Sequence, residues 1–477
     1  MQHWYVLVTG LLLLPGLLPE EATAQPLAPR IDSLLQERRA SHAFWGISVY
    51  DLERDSLLYG RNEDRGFLPA SNQKLFTTAA ALDLLGPEHR YETTLSFDGT
   101  TQDSVMRGDL HLTGSGDPTF GSTALERSDP LRKWAERLAE MGVHRIEGRL
   151  VGDDQAFLGG SYPDGWSVNY LTRQKGQQMG VRAGGLSYRD NTVPVTVRAT
   201  EPGAPPEVRI QPEGVLSVEN EAVTSDRWRG STLLINRTFS TNKIVLTGSV
   251  ARSYGGVRNV PVSDPTAFTL RIFRERLRAA GIETDLELVD ADALDAPPEK
   301  GEPLFVHLSP LLSEIVTEIN KQSNNFYAEQ VLRTYGWGGS TQGGIQRTES
   351  FLGRAGIDTR AISINDGSGL SRKNLVTPRS FRALLVHMDA HAAGGIFRAS
   401  LPRGGERGTT LSSRLGRAPV RAKTGSLAFV RGLSGYVERP DGGRVAFALF
   451  ANNYTGPSHQ ITHTMDDIVR LLMAPSS

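Results

Sequence analysis

A serine and a lysine three positions apart form the most reactive combination of side chains in this sequence. Ser71 and Lys74 would lie on one face of a helix, because residues i and i+3 are neighbours on a helical surface. Apolar residues recur at helical spacing from Leu75 to Leu85, and Gly86-Pro87 then ends the pattern. Ser71 would stand in the first turn, where unpaired backbone N–H groups favour developing negative charge. A serine hydroxyl needs a neighbouring base to become a nucleophile, so the pair predicts acyl transfer by Ser71 with Lys74 as the base.

The same spacing occurs a second time, at Ser240 and Lys243. The residues around that copy favour a β-strand, on which side chains three positions apart point to opposite faces, so we reject it as a catalytic pair. Lysine usage adds weight to the first copy, since the chain has 8 lysines against 44 arginines. An arginine cannot lose its proton in a protein, so it cannot replace a lysine that acts as a base. The competing interpretation of Ser71 and Lys74 is a helix cap followed by a surface lysine.

A second motif, Lys423-Thr424-Gly425-Ser426, opens a predicted strand near the C-terminus. Apolar runs on either side of a Pro-Asp-Gly-Gly turn follow it and indicate a β-hairpin. The edge of such a strand would offer backbone N–H and C=O groups to an extended peptide. We expect Lys423 to place a cation beside Lys74, which disfavours a charge on Lys74, and Gly425 to admit the substrate backbone. A plain strand start is the alternative.

Ser323 and Asn325 form a third polar element, although Ser-x-Asn is a weak signal by itself. Ser309-Pro310 predicts a helix start, and Phe326 to Leu332 has the pattern of the next helix. The two side chains would therefore lie at a corner between helices, from which they can point into a cleft. A hydroxyl there would relay a proton to a leaving group, and the amide would bind a substrate amide. The alternative is a polar turn that only ends a helix.

In their order and context these motifs resemble those of the penicillin-binding serine D,D-peptidases. Two further segments, Gly114–Thr119 and Asp366–Arg372, are similar to segments of the low-molecular-mass class C branch, the type-4 D-alanyl-D-alanine carboxypeptidase/endopeptidases. The long interval between Lys74 and Ser323 fits that branch, whose members carry two extra domains there. The resemblance covers most of the chain after residue 24 and is weakest between about 155 and 250.

The resemblance implies a substrate, a reaction and a role for each site residue. Ser71 would attack the carbonyl of the penultimate D-alanine in a peptidoglycan stem peptide, and backbone N–H groups of Ser71 and Ser426 would hold the oxyanion. The other roles go to four side chains: proton donation by Ser323, amide binding by Asn325, and carboxylate binding by Lys423 and Thr424. β-Lactams would acylate Ser71 and so act as inhibitors.

The implied fold is an α+β multidomain protein. A β-lactamase-like catalytic domain, with an antiparallel sheet and a helical region, would be interrupted by β-rich inserted domains. We expect the following divisions: 25–92 plus 300–477 for the catalytic domain, 93–159 plus 251–299 for the first insert, and 160–250 for the second. The N-terminal hairpin would join the C-terminal hairpin of 426–450 in one sheet beside the Ser71 helix.

The N-terminus predicts export. Val6 to Leu18 is apolar, and Ala22-Thr23-Ala24 follows as a cleavage site, so residues 1–24 are expected to be a signal peptide cleaved after Ala24. An uncleaved N-terminal anchor is the alternative; no other stretch has the length and apolarity of a membrane span. The chain contains no cysteine, which excludes thiol catalysis, and its net charge of −1 gives no general attraction to nucleic acid. An enzyme of the periplasm or cell wall fits these features.

Other functions stay open: a β-lactamase, a catalytically silent penicillin-binding wall sensor, and a zinc peptidase. Two histidine pairs at i,i+4 spacing, His387 with His391 and His459 with His463, lack the glutamate and third ligand of a catalytic zinc site. We therefore expect no metal and no cofactor. The expected partners are peptidoglycan stem peptides and, as inhibitors, β-lactams. The sequence leaves open the oligomeric state, the balance between carboxypeptidase and endopeptidase action, and whether Asp153-Asp154 supplies an acid that approaches the substrate amine.

Overall fold

The computed structural model describes residues 26–475 apart from 127, 160–161, 175–178 and 297–298. The expected signal peptide, residues 1–24, lies outside the described residues. The α-helices are Leu27–Gln36, Lys74–Leu84, Pro130–Glu140, Val168–Thr172, Pro265–Ala279, Leu312–Gln322, Asn325–Thr334, Thr341–Arg354, Pro378–Ala390, Gly394–Ser400 and Ser458–Leu472. Short 3₁₀ helices are Ala70–Gln73, Arg189–Asn191, Ala291–Ala293, Trp337–Gly339 and Thr359–Ala361. Among the helices of the described ranges, we find none with the length and apolarity to traverse a bilayer.

A five-stranded antiparallel sheet joins the two ends of the chain. Its strands, in spatial order, are Val420–Leu427, Val430–Glu438, Arg444–Asn452, Phe44–Asp51 and Ser56–Arg61. The pairing of Phe44–Asp51 with Arg444–Asn452 confirms the expected sharing of one sheet by the N- and C-terminal hairpins. Val420–Leu427 is the strand at one end of the sheet, so its outer edge is available to other groups.

Both faces of this sheet are covered. Phe447 and Leu449 pack in a core with residues of the two terminal helices, whereas Ala448 and Phe450 pack in the core of the helical region. Side chains alternate between the faces of a strand, and burial on both faces explains the continuous apolar run of Arg444–Asn452. The sheet is therefore a rigid wall between two apolar cores.

The helix Lys74–Leu84 lies at the centre of the helical region. Its residues from Lys74 to Leu82 are all buried, which agrees with the apolar character of the helix on nearly every side. It packs against Leu312–Gln322, Asn325–Thr334 and Thr341–Arg354, so the first turn of the central helix faces the corner between two of its neighbours. This packing brings the first and third sequence motifs to one place.

The inserted region begins with a seven-stranded mixed sheet. The chain Glu283–Thr284, Arg145–Glu147, Val105–Thr113, Glu92–Gln102 and Glu302–Leu308 forms its main path, with Arg149–Asp153 beside Val105–Thr113 and Glu287–Asp290 beyond it. The helices Pro130–Glu140 and Pro265–Ala279 lie in this part of the chain. They contact each other, and their buried residues belong to one apolar core with those of the sheet.

Smaller sheets complete the inserted region. They are a three-stranded sheet of Gly255–Pro261, Thr192–Arg198 and Glu207–Ile210, a four-stranded sheet of Ser217–Asn220, Lys243–Thr247, Leu234–Arg237 and Arg173–Gln174, and a pair of Val223–Thr224 and Ser249–Val250. Their buried residues continue the core of the larger sheet. The strand pairings favour different boundaries from those expected: Gly255–Pro261 pairs with Thr192–Arg198, and Glu302–Leu308 pairs with the inserted sheet.

Candidate active site

Ser71 lies in the 3₁₀ turn that leads directly into the helix starting at Lys74. The turn is tightly constrained: Ala70 has a φ of 47°, in the left-handed region that L-residues seldom adopt. The backbone of Gly369 packs against it so closely that a Cβ at residue 369 would lie 1.9 Å from the Ala70 carbonyl oxygen. The turn places the Oγ of Ser71 3.2 Å from the Nζ of Lys74.

The Lys74 amine touches two other groups besides Ser71. Its Nζ donates to the Asn325 Oδ1 at 2.7 Å and to the Ser368 carbonyl oxygen at 2.6 Å. Both of these partners can only accept hydrogen bonds, whereas the Ser71 hydroxyl can also donate. A neutral amine has two N–H groups and one lone pair. If the two N–H groups serve the two acceptors, the lone pair is left for the Ser71 proton.

Burial favours this neutral form of Lys74. The side chain is completely buried, and this desolvation lowers its pKa from 10.5 to about 7. The carboxylates of Asp366 and Glu329 oppose the decrease through their charges. The balance gives a base that exchanges its proton near neutral pH, which is the range in which general-base catalysis is most efficient.

The segment that follows Asp366 holds the Ser368 carbonyl in place. Asp366 accepts hydrogen bonds from the backbone of Gly369 and Ser371, and Glu329 accepts from the N–H of Ser368 at 2.8 Å. Burial and the neighbouring Asp366 charge raise the pKa of Glu329 to about 7. Glu329 was not predicted as part of the site, because a single glutamate on a helix carries no local signal of a partner 39 residues away.

Ser323 and Lys423 form the second half of the site. Ser323 ends the helix Leu312–Gln322 in a left-handed conformation with φ 60°, and the next helix begins at Asn325. The Nζ of Lys423 donates to the Ser323 Oγ at 3.0 Å and to the Thr424 carbonyl oxygen at 2.9 Å. The polar corner between helices thus meets the start of the edge strand, as the motifs suggested.

Burial changes what we expected of Lys423. We expected it to be the charged neighbour that keeps Lys74 neutral. The Lys423 side chain is also fully buried, and desolvation followed by the charge of Lys74 holds its pKa well below the usual value. The two amines therefore compete for protonation, and the free site disfavours a charge on either. An anion bound beside Lys423 would favour its charged form.

The edge strand directs backbone groups of Thr424 and Ser426 outward. The Val420 carbonyl and the Ala422 N–H bond to residues 402–404, on the side away from Val430–Glu438. Backbone groups alternate sides along a strand, so Thr424 and Ser426 point theirs to that same outer side. In the described part of the chain no strand pairs with this edge beyond Ala422, so the backbone groups of Ser426 and the Thr424 N–H are available to an extended ligand, whereas the Thr424 carbonyl oxygen already accepts from Lys423.

Gly425 packs closely against the nucleophile turn. A Cβ at residue 425 would lie 2.5 Å from the Asn72 Nδ2 and 2.6 Å from the Pro69 carbonyl oxygen. The absent side chain thus makes room for the nucleophile turn, which packs beneath the strand. The close approach of a substrate backbone at Gly425 stays a prediction. Gly432 on the neighbouring strand meets the same Asn72 amide, at 2.4 Å from its Cβ position.

The inserted region contributes Tyr170 and Trp166 to the site. The Asn325 Nδ2 donates to the Tyr170 hydroxyl at 2.9 Å, and the Trp166 indole N–H donates to the Asp366 Oδ2 at 2.8 Å. Burial raises the pKa of Tyr170 to about 12, so the phenol stays protonated. Neither residue was predicted. A spacing of 155 residues between Tyr170 and Asn325 leaves no local pattern to detect.

Other side chains considered in the sequence belong elsewhere. Asp153 pairs with Lys300, and Asp154 accepts a hydrogen bond from Thr266, so their recorded polar contacts lie within the inserted region. His387 packs against the ring of Phe351 at 5.7 Å between ring centroids. These contacts account for the side chains without a catalytic role.

Comparison with known proteins identifies the family. The sequence model of the D-Ala-D-Ala carboxypeptidase 3 (S13) family matches residues 27–474. The chain belongs to this family. The resemblance inferred from the three motifs is thereby confirmed, and the match spans both the catalytic elements and the inserted region.

The chain aligns with individual members of the family over most of their length. The chain is 33% identical to the D-alanyl-D-alanine carboxypeptidase of Actinomadura sp. (strain R39) over 448 residues, which cover 90% of this chain and 81% of that protein. It is 27% identical to the D-alanyl-D-alanine carboxypeptidase DacB of Haemophilus influenzae, covering 86% of this chain and 85% of the relative.

Solved structures confirm the expected fold class. The crystal structure of penicillin-binding protein 4 from Haemophilus influenzae matches with a TM-score of 0.79 and 25% identity, covering 93% of this chain and 99% of that one. A peptidoglycan endopeptidase of Bdellovibrio bacteriovorus shares the fold at a TM-score of 0.52 and 16% identity, covering 90% of this chain and 92% of that one. The inserted region is therefore part of the shared architecture.

Proposed function

We propose that this chain is an exported serine D,D-carboxypeptidase that removes the terminal D-alanine from peptidoglycan stem peptides in the periplasm or cell wall, and that β-lactams inhibit it. One observation carries the proposal: the buried Lys74 amine contacts the Ser71 hydroxyl and two groups that can only accept hydrogen bonds. This arrangement supports a neutral lysine whose lone pair faces a serine. Family membership supports the substrate class.

Acylation begins with proton transfer from Ser71 to Lys74. The Oγ attacks the carbonyl carbon of the penultimate D-alanine, and the resulting oxyanion needs preorganised donors. The backbone N–H groups of Ser71 and Ser426 are the proposed donors, one at the start of a helix and one on the outer edge of the sheet. Loss of one such donor in an enzyme costs about 3–4 kcal/mol of transition-state stabilisation.

The leaving D-alanine needs a proton on its nitrogen and a partner for its carboxylate. We assign the proton transfer to Ser323, which accepts a hydrogen bond from Lys423. A substrate carboxylate bound by Lys423 and the Thr424 hydroxyl would offset the desolvation of the Lys423 ammonium. Substrate binding thus favours the charged form of Lys423. This second amine becomes a proton source only when a carboxylate is present.

Asn325 positions both the base and the substrate. Its Oδ1 is occupied by Lys74 and its Nδ2 by Tyr170 in the free site. A substrate amide would reach Asn325 beside the strand edge formed by Thr424 and Ser426. The proton that Lys74 took from Ser71 replaces the one that Lys423 gave through Ser323, which leaves Lys74 neutral again. In hydrolysis Lys74 then accepts a proton from the attacking water and returns it to the Ser71 Oγ as the acyl bond is cleaved. No step in this sequence uses a metal ion.

The test is loss of acylation in Ser71→Ala, measured by labelling with a fluorescent penicillin, together with D-alanine release from a disaccharide pentapeptide. We expect both to be abolished. Ser240→Ala is the matched control, since Ser240 belongs to the other Ser-x-x-Lys sequence, and it should label normally. Labelling that persists in Ser71→Ala would overturn the assignment.

Product analysis separates the rival functions. A β-lactamase would turn over penicillin many times faster than it releases D-alanine, whereas a silent sensor would be labelled without releasing any. Both outcomes would refute the proposed carboxypeptidase activity even if Ser71 is the acylated residue. Insensitivity of D-alanine release to a chelator would exclude the zinc peptidase.

A further inference from the structure

A groove in the inserted region shares the side chain of Trp166 with the active site. It is lined by two arginines, three aromatic side chains and one acid, and we call it the arginine groove: Arg182, Arg237, Tyr162, Trp166, Phe239 and Asp164. Trp166 is common to both places, because its indole N–H bonds to Asp366 while its ring lies 5.9 Å from that of Tyr162. The groove is thus one side chain away from the carboxylates that flank Lys74.

Arg237 is buried, and no acid pairs with it in the described part of the chain. Its side chain is 4% exposed, and it donates from Nε to the Thr241 carbonyl oxygen at 2.9 Å and from Nη1 to the Tyr162 hydroxyl at 3.4 Å. Its Nη2 is also buried and has no hydrogen-bond partner among the described residues. Neutral partners satisfy only part of a guanidinium, and burial of a charge is costly unless an opposite charge compensates it. Nothing in the described contacts of Arg237 supplies that opposite charge.

Arg182 adds a second cation to the groove. It donates to the Ser263 carbonyl oxygen at 3.3 Å and, within the described ranges, forms no ion pair with an acid. The acid of the groove, Asp164, is already paired with Lys373 on the catalytic side. The charge that remains in the groove is therefore positive. A planar guanidinium with free donors matches the two oxygens of a carboxylate.

The aromatic residues give the groove an apolar surface. This surface can contact the part of a ligand to which a bound carboxylate is attached. Phe239 is 52% exposed, and its ring lies 5.8 Å from that of Tyr162 at an angle of 43°. Phe239 lies in the turn between the strands Leu234–Arg237 and Lys243–Thr247. An exposed aromatic beside buried cations is typical of binding sites, in which apolar walls surround a few placed polar groups.

We propose that the arginine groove binds a carboxylate of peptidoglycan that lies outside the stem peptide being cleaved. The proposal rests on the proposed function, because that function brings the polymer to the neighbouring cleft. Arg237 and Arg182 bind the carboxylate, and Phe239 and Tyr162 contact the chain that carries it. A cross-linked substrate has a second stem with further carboxylates, so this subsite raises its binding affinity. A short synthetic peptide lacks that second stem and does not gain affinity here.

The experiment measures binding of a cross-linked disaccharide-peptide dimer to Ser71→Ala protein by calorimetry. Two probes are compared: the dimer itself and the same dimer with its carboxylates converted to amides. We expect Arg237→Gln, made in the Ser71→Ala background, to weaken binding of the acid dimer about tenfold, the usual worth of a hydrogen-bonded charge pair, and to change binding of the amidated dimer less than about twofold. Phe239→Ala should weaken both probes alike, and as an exposed residue it tests the groove without disturbing a core.

Arg258→Gln is the matched control, because Arg258 is a half-buried arginine on another sheet of the same region, and its hydrogen bond is to the carbonyl oxygen of its own neighbour Val257. It should leave both affinities unchanged. Equal affinities of Arg237→Gln and the parent for the acid dimer, or equal losses for both probes, would overturn the proposal. If Arg237→Gln does not fold, as judged by its melting temperature, Arg182→Gln takes its place with the same expectation.

A parallel assay keeps this test separate from that of the function. Fluorescent penicillin labels Ser71 without reaching the groove, so Arg237→Gln with Ser71 intact should be acylated at the rate of the parent. Failure of the parent itself to be labelled would refute the proposed function. Normal labelling with no difference in dimer binding would refute the groove alone.

Discussion

The hydroxyl of Tyr170 lies 2.9 Å from the amide nitrogen of Asn325, and this contact determines which end of the amide faces Lys74. With the nitrogen directed to Tyr170, the amide oxygen accepts from the lysine at 2.7 Å. A flipped amide would instead present an N–H group to Lys74 and bind the lone pair that Ser71 requires. A residue of the inserted region thereby controls the basicity of the catalytic lysine.

Tyr170→Phe should therefore slow acylation without abolishing it. The variant removes the acceptor for the Asn325 N–H, and the loss of one buried hydrogen bond predicts a rate roughly tenfold lower. The measurement is the second-order rate constant for labelling by a fluorescent penicillin between pH 6 and pH 9. An altered pH profile distinguishes a positioning role from general destabilisation.

The control for this variant is Tyr50→Phe, which also removes a tyrosine hydroxyl hydrogen bond, here to the exposed Asp55 at 2.6 Å. It should be acylated like the parent protein. Identical rates and profiles for Tyr170→Phe and the parent would show that Asn325 keeps its orientation without the tyrosine.

The pH dependence of acylation should follow the proton of Lys74. Burial lowers the pKa of this lysine to about 7, and only the neutral amine can accept the proton of Ser71. The acylation rate is therefore low below pH 7, rises as the pH passes through about 7, and is level above it. Stopped-flow measurement of β-lactam acylation over this range gives the apparent pKa directly.

Lys74→Arg is a second test of Lys74 as the general base. An arginine keeps its proton throughout this range, so the variant should not be acylated at any of these pH values. Lys243→Arg, at an exposed lysine paired with Glu219, should retain the full profile. A rate that does not change across neutral pH in the parent would contradict the role given to Lys74.

Local spacing was enough to predict some of this structure. Ser71 lies in a 3₁₀ turn and Lys74, three residues later, begins the helix that follows it, and a pair so close in sequence needs no knowledge of the tertiary fold. The hairpin near the C-terminus and the helices around Ser323 follow from alternation and periodicity. Their meeting at one site was suggested by resemblance, since nothing in the local sequence brings Lys423 to Ser323 across 100 residues.

Contacts made through the tertiary fold could not be predicted in this way. Glu329 and Tyr170 look like an ordinary helical glutamate and an ordinary aromatic until the folded chain places them beside Lys74. Gly425 was given a reason that concerned the substrate, whereas its neighbour is Asn72 of the same protein. The desolvation of Lys423 is likewise a property of the assembled core, and a sequence shows only that a lysine is present.

Ser323 should be needed for turnover and not for folding. Ser323→Ala removes the acceptor of the Lys423 hydrogen bond and the proposed proton relay, so D-alanine release from a pentapeptide should decrease by about 10² or more. Ser323→Gly should lose activity to a similar extent, while its melting temperature stays level or rises, because glycine adopts the left-handed backbone at residue 323 without strain.

Ser350→Ala is the control for these two variants, since Ser350 is an exposed helical serine whose hydroxyl bonds back to the Gln346 carbonyl oxygen. It should release D-alanine at the parental rate. Normal turnover by Ser323→Ala would assign the proton transfer to another group of the site.

Gly425→Ala should displace the nucleophile turn. The added methyl group would lie within 2.6 Å of Pro69 and Asn72, both rigidly held beneath the strand, so the turn that carries Ser71 must move. Overpacking of this kind costs about 1–3 kcal/mol of folding free energy, and the displaced Ser71 should be acylated at least tenfold more slowly.

Gly353→Ala supplies the comparison, because that glycine is exposed on a helix with nothing within 4 Å of its Cβ position, and alanine there should stabilise the fold by up to about 1 kcal/mol. Denaturant unfolding and penicillin labelling of the two variants check both effects. A fully active Gly425→Ala protein would mean that the strand moves to accommodate the methyl group and the turn that carries Ser71 does not.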